Sequence, residues 1–288
     1  MQTFRTAAAM SGWAALVILA GLCTAPYVAG DAIDWDAMSS PGSIKYSGDG
    51  TYYGQQSGQD DGAVCGFGKR FANTLGAEWS TGVQTFVAMN RPQYNNSEAC
   101  GQCIMYRGTG AGLGMLPIPS EWQMGMVTNV CPECAYGSID LDKEGDGRWK
   151  VEWYPVPCDV GSGTFKYYFG GQANPYWFMF GISNTRYPIA ELKLRSFDGS
   201  FYSLARGWNN MWAANGGPFS FPLVIQVTSV LGDTVTDTIQ STSGGDAKAQ
   251  FPKRALTGPA ATPASGPASA PASGDTAITA GGRRLLRA

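Results

Sequence analysis

Asp140 sits in the run Ser138-Ile139-Asp140-Leu141, a single carboxyl among apolar neighbours in a strand pattern. Burial disfavours the carboxylate, so such a group keeps its proton to higher pH and can serve as a proton donor. The plainer reading is a structural aspartate capping a turn. Just before it stands Cys131-Pro132-Glu133-Cys134, and earlier Cys100-Gly101-Gln102-Cys103. Two CxxC pairs match the spacing of a four-cysteine zinc site, of disulfides or, less well, of a redox pair, for which the βαβ surroundings are lacking. The 288-residue chain contains no histidine. A Ser-His-Asp triad, a Cys-His dyad and an imidazole metal site are therefore excluded, and any acid–base chemistry falls to carboxylates. The run 140–147, DLDKEGDG, begins as a calcium loop does, with alternating carboxylates and Gly145 in sixth place. Val151 stands where the twelfth-place acid is required, and no helices flank the run, so it reads as a turn.

A second group of residues points to binding rather than catalysis. In Trp177-Phe178-Met179-Phe180-Gly181-Ile182, strand alternation sends Phe178, Phe180 and Ile182 to one face and Trp177 and Met179 to the other. Tyr176 precedes them, and Trp208 and Trp212 lie in the turn-rich stretch Gly207-Trp208-Asn209-Asn210-Met211-Trp212. Large aromatics with no core to enter suggest a binding surface. Sugar rings present C–H groups to such faces, and Trp and Tyr keep a polar edge for water. The alternative is that these rings cover each other or the preceding domain.

The elements that must position these groups read as all-β. An apolar leader with Arg5 ahead of it and Val28-Ala29-Gly30 behind is too short for the ~20 residues of a membrane span, so 1–30 is expected to be a signal peptide. Cys23 leaves with it. Six cysteines remain, Cys65, Cys100, Cys103, Cys131, Cys134 and Cys158, and in a secreted chain an even set reads as disulfides in preference to zinc. From 43 to 160 short apolar segments are broken by glycine, with 68–75 as one short helix candidate and Trp149–Trp153 in strict alternation; this predicts a disulfide-stapled, barrel-like β-domain. Gly161-Ser162-Gly163 is a natural hinge. Several short strands over 163–240 predict a β-sandwich. From 241 to 288 the Pro/Ala/Ser-rich sequence lacks the apolar side chains to offset chain entropy, so a disordered tail ending in a small basic tip is expected. Asn95-Asn96-Ser97 is an N-glycosylation sequon. A net charge of −2 gives no global attraction to nucleic acid.

Several of these stretches, taken in order, resemble expansins. Gly50-Thr51-Tyr52-Tyr53-Gly54, the CGQC pair, VTNVCPECAYGSIDLD and WKVEWYPVPC are similar to their first domain, and Tyr176-Trp177 through Trp208 to their second, over roughly 43–240. The resemblance implies a six-stranded double-psi β-barrel followed by an immunoglobulin-like β-sandwich. It implies that Asp140 is the groove acid, with Thr51, Tyr52 and Tyr53 as groove wall, and that Tyr176, Trp177 and Trp208 form a planar platform for cellulose. It further implies the pairs Cys65–Cys100, Cys103–Cys158 and Cys131–Cys134. Related hydrolases of the endoglucanase V type use a second carboxylate, and this chain has Asn129 and Gly54 at the candidate places. An inverting pair needs two carboxyls ~6.5–9.5 Å apart, so Asp140 lacks a partner unless Asp60 or Asp61 folds into the groove.

The expectation is a secreted, monomeric protein of the cell wall that binds cellulose and matrix polysaccharides, without cofactor, metal, nucleic acid or membrane span, and loosens glycan contacts without hydrolysis. The rivals are a glucanase or transglycosylase, and a non-catalytic adhesive carbohydrate-binding protein.

Overall fold

The computed structural model describes residues 32–54, 63–66 and 82–257. The leader, the 68–75 helix candidate, Asp60, Asp61 and the segment 258–288 lie outside these. Among the described residues, no helix is long and apolar enough to cross a membrane.

Six strands close a barrel: β1 (Tyr46–Tyr52), β2 (Val83–Asn90), β3 (Cys103–Leu113), β4 (Gln123–Cys131), β5 (Ile139–Asp142) and β6 (Arg148–Val156), in the order β1-β5-β2-β4-β3-β6. The β1–β5 and β2–β4 pairs are parallel and the other four antiparallel. This is the double-psi barrel. The alternation in Trp149–Trp153 is realised: Trp149, Val151 and Trp153 enter the barrel core, which also holds Val87, Met89, Tyr106, Ile139 and Leu141. The disulfides are Cys65–Cys100, Cys103–Cys158 and Cys131–Cys134, so all six sulfurs are bonded to one another. After β2 a single helical turn, α1 (Arg91–Tyr94), is capped by the Asn90 side chain, which accepts from the Gln93 N–H.

The sandwich has two sheets. One contains β9 (Ile189–Arg195), β10 (Phe201–Ser203), β13 (Leu223–Ser229) and β14 (Thr234–Ile239), in the order β10-β9-β13-β14. The other contains β7 (Lys166–Asn174), β8 (Trp177–Ser183), β11 (Ala205–Arg206), β12 (Trp212–Asn215) and β15 (Gly245–Asp246), in the order β11-β12-β8-β7-β15. Phe178, Phe180 and Ile182 fill the core between them, as alternation requires.

The turn at 161–163 is hydrogen-bonded: Gly163 N–H donates to the Val160 carbonyl (2.8 Å), and the Gly161 and Gly163 carbonyls accept from Arg186 (3.3 Å) and Gln250 (3.2 Å). Two expectations are corrected. The sandwich does not end at 240. β15 adds to the sheet edge, Phe251 is 1% exposed in the core, and the Arg254 guanidinium pairs with Asp233 (2.8 Å). Ala247 joins Phe251 in the core, and the Asp237 carboxylate accepts from the Lys248 and Ala249 N–H groups (2.8 and 2.9 Å). Trp212 is a core residue, 2% exposed, with the Arg206 guanidinium 4.6 Å from its ring centre; its place in β12 opposite Phe180 turns it inward.

Candidate functional site: the Asp140 groove and the aromatic platform

The strand register builds the groove. Thr51 of β1 pairs with Asp140 of β5, Asp140 with Ala88 of β2, and Ala88 with Asn129 of β4. Directly paired residues project to the same face, so these four form one row across the sheet. Asp140 and Asn129 face each other across Ala88, at two strand spacings, or ~9–10 Å between backbones. Ile139 and Leu141 point the other way into the core and are fully buried, which fixes Asp140 outward.

Asp140 is half-buried. The Thr51 hydroxyl donates to its Oδ1 at 2.7 Å. Its pKa lies above the ordinary carboxylate value, chiefly through burial, opposed by the Thr51 hydrogen bond and reinforced by the negative charge of Glu133. Glu133 is a neighbour that sequence reading passed over. It is exposed on the ring closed by Cys131–Cys134, which springs from the end of β4. The only linear signal was its place inside CPEC, which drew attention to the sulfurs instead.

The candidate wall residues part company. Tyr53 continues the pairing of β1 through its N–H to the Leu141 carbonyl (3.1 Å). Tyr52 pairs with Leu141, a core residue, and so takes the side of β1 opposite Asp140. Its hydroxyl donates to the Leu116 carbonyl (2.9 Å), and its ring lies over Gly145. Tyr52 therefore packs against the barrel core on the face of β1 opposite Asp140. Asp146 of the DLDKEGDG run accepts from the Met115 (2.9 Å) and Leu116 (2.6 Å) N–H groups and pins the same loop, as a turn carboxylate does.

Neither candidate place for a second carboxylate supplies one. The Asn129 Oδ1 accepts from Val130 N–H (2.9 Å) and Val64 N–H (3.3 Å), tying down the segment that carries Cys65. At Gly54 a Cβ would lie 2.6 Å from the Lys143 nitrogen and 2.8 Å from Asp142, so the position has no room for any side chain.

On the sandwich, Tyr176 and Trp208 are 63% and 64% exposed and Trp177 is half-buried. The Asn174 Oδ1 accepts from the Tyr176 and Trp177 N–H groups (2.9 and 3.0 Å), which sets the turn that presents both rings. Met179, on the same face as Trp177, packs against the barrel core together with Tyr168 and Met211. A Cβ at Gly181 would lie 2.1 Å from the Tyr168 ring, so glycine is needed for this close approach. The barrel holds the third ring directly: the Tyr94 hydroxyl donates to the Trp208 carbonyl (2.7 Å) and the Ser97 hydroxyl to the Gly207 carbonyl (2.8 Å). The sequon's hydroxyl is thus spent on the domain contact.

No family model matches the chain. It is 30% identical over 165 residues to expansin-like protein 2 of Dictyostelium discoideum, covering 52% of this chain and 38% of that protein. To expansin-like protein 1 of the same organism it is 28% identical over 170 residues, covering 54% and 56%. To expansin-A17 of Oryza sativa subsp. japonica it is 26% identical over 216 residues, covering 63% and 68%. The match thus spans 38% and 56% of the two Dictyostelium relatives. The fold superposes on the crystal structure of the apo Clavibacter michiganensis expansin with a TM-score of 0.57 at 17% identity, over 73% of this chain and all of that one. On a mutant of that expansin in complex with cellohexaose the TM-score is 0.58, at the same identity and coverage. On sequence the chain is thus similar to expansins and expansin-like proteins, and its two-domain fold is that of a bacterial expansin.

Proposed function

We propose that this is a secreted, glucan-binding protein that loosens cell-wall polysaccharide contacts without hydrolysis. The observation that carries the reading is the row Thr51–Asp140–Ala88–Asn129. It offers one carboxyl biased toward its acid form, a neutral amide opposite, and at Gly54 no space for a base. Among the described residues this row supplies one acid, which can donate a proton or a hydrogen bond, whereas an inverting hydrolase needs a second carboxyl to activate water. Tyr176, Trp177 and Trp208 stack on a glucan, and the structural neighbour described with cellohexaose supports a glucan of that type. The protonated Asp140 competes for a glycan oxygen. Each such exchange is worth only ~1 kcal/mol net, so loosening depends on many contacts made together.

Creep of wall specimens, run beside a reducing-sugar assay, tests this. Extension without soluble sugar from the wild type, and its loss in Asp140→Asn with cellulose binding retained, is the expected result. Full extension by a folded Asp140→Asn protein would make Asp140 merely structural. Glu133 favours a second reading, a slow glucanase or transglycosylase, because its charge is felt at Asp140. Sustained sugar release that disappears in Glu133→Gln would establish that reading in place of the first.

A further inference from the structure

The end of the sandwich that carries Tyr176 and Trp177 also carries a cavity with no role so far. β12 ends at Asn215, paired with Trp177. The chain then loops through 216–222 into β13. Midway, the Phe219 N–H donates to the Pro175 carbonyl (2.6 Å), which fastens one side of this loop beside Tyr176. The other side faces the hairpin between β9 and β10. Between loop and hairpin lies a cavity of about 520 Å3, lined by Arg195, Phe197, Tyr202, Asn215, Phe219 and Ser220 among others.

The hairpin is held from within. Ser196 N–H donates to the Ser200 carbonyl (2.7 Å), Gly199 N–H to the Ser196 carbonyl (3.0 Å), and the Asp198 Oδ1 accepts from the Ser200 N–H (2.9 Å) and hydroxyl (2.7 Å). These bonds set Phe197 at the rim, wholly in solvent. A large apolar ring fixed in water by a rigid turn does nothing for the core. Its neighbours supply the rest of a recognition set: two further aromatic rings, a guanidinium, an amide and a hydroxyl. That mixture matches a pyranose, which has C–H faces for the rings and hydroxyls for the polar groups. The volume falls within the ~300–1,000 Å3 of small-molecule sites. A concave site excludes the flat face of a crystal and admits a single free chain.

We propose that this cavity is a second glycan-binding subsite, which takes an uncrystallised β-glucan chain while the neighbouring aromatic platform takes the crystalline surface. The proposal rests on the glucan-binding reading above and adds to it a second site and a second physical form of the substrate. The probe is cellohexaose, titrated by calorimetry, with pull-down on crystalline cellulose in parallel. Phe197→Ala removes no packing and is the fold-safe variant; Tyr202→Ala is added to it, with a thermal melt as control. In a Trp177→Ala/Trp208→Ala background, which removes the platform, residual cellohexaose binding is expected. It should weaken about tenfold or more when Phe197→Ala is introduced, a change of one decade in Kd or beyond. In the otherwise wild-type chain, Phe197→Ala should leave the crystalline pull-down unchanged. Residual binding unaffected by Phe197→Ala, or no residual binding at all, overturns the proposal. Undiminished pull-down of the Trp177→Ala/Trp208→Ala protein would instead overturn the platform, a failure read on a different assay.

Discussion

Thr51 and Glu133 act on Asp140 with opposite signs. The Thr51 hydrogen bond stabilises the carboxylate and the Glu133 charge disfavours it. If the acid form is the working one, activity is full below the folded pKa and falls as pH rises through it. Thr51→Val should push that fall to higher pH, and Glu133→Gln to lower pH; creep rate against pH checks both. The Glu133 effect should shrink with added salt, because the residue is exposed. Stability carries the same sign. A carboxyl whose folded pKa is raised stabilises the fold below its ordinary pKa, and this contribution is lost as pH rises through the folded value. Asp140→Asn should therefore melt with the wild type in acid and above it at neutral pH. Asp140 itself was legible in the chain, since one carboxyl in an apolar strand is conspicuous. Glu133 and the closed space at Gly54 were not: both depend on which strands become neighbours, and the β1–β5 pairing joins residues far apart in sequence.

Among the elements, two tryptophans four residues apart have opposite fates. Trp208 lies in a turn, and Trp212 begins β12 and faces Phe180. Sequence alternation placed the β8 rings correctly because that strand is long enough to show a period. It failed for Trp212, whose strand is short and follows a turn. Trp177→Ala with Trp208→Ala should weaken cellulose binding by ~1–3 kcal/mol per stacked ring, by analogy with stacking on bases, and leave the melting temperature nearly unchanged. Trp212→Ala should cost ~3–5 kcal/mol of stability. Denaturant melts and pull-downs separate the two. The disulfides also differ by the loop each closes. Removing Cys131–Cys134, three residues apart in sequence, should cost about 2 kcal/mol; removing Cys103–Cys158, at a separation of 55, should cost about 4 kcal/mol.

At the scale of the molecule, the change of composition at 241 marked the edge of low complexity and not the edge of the fold. Phe251, Gln250 and Arg254 belong to the sandwich. A chain ended after residue 240 should lose β15 and the burial of Phe251, worth ~1.5–3 kcal/mol by itself, and melt well below one ended after 257. The barrel and sandwich cores were legible as two blocks. Their seam was not, because Tyr94, Ser97, Tyr168 and Trp208 carry no local pattern that announces a contact.

That seam has a mechanical consequence. The Trp208 ring faces outward while its carbonyl is gripped by Tyr94 at the end of α1, and α1 is capped by the last residue of β2. β2 is the strand that separates Asp140 from Asn129. A polymer stacked on Trp208, as proposed, would when dragged along its axis load the Tyr94 hydrogen bond and, through α1, the strand beside Asp140. On the proposed function, grip and groove would then share one load path, running through a single hydrogen bond, one helical turn and one strand.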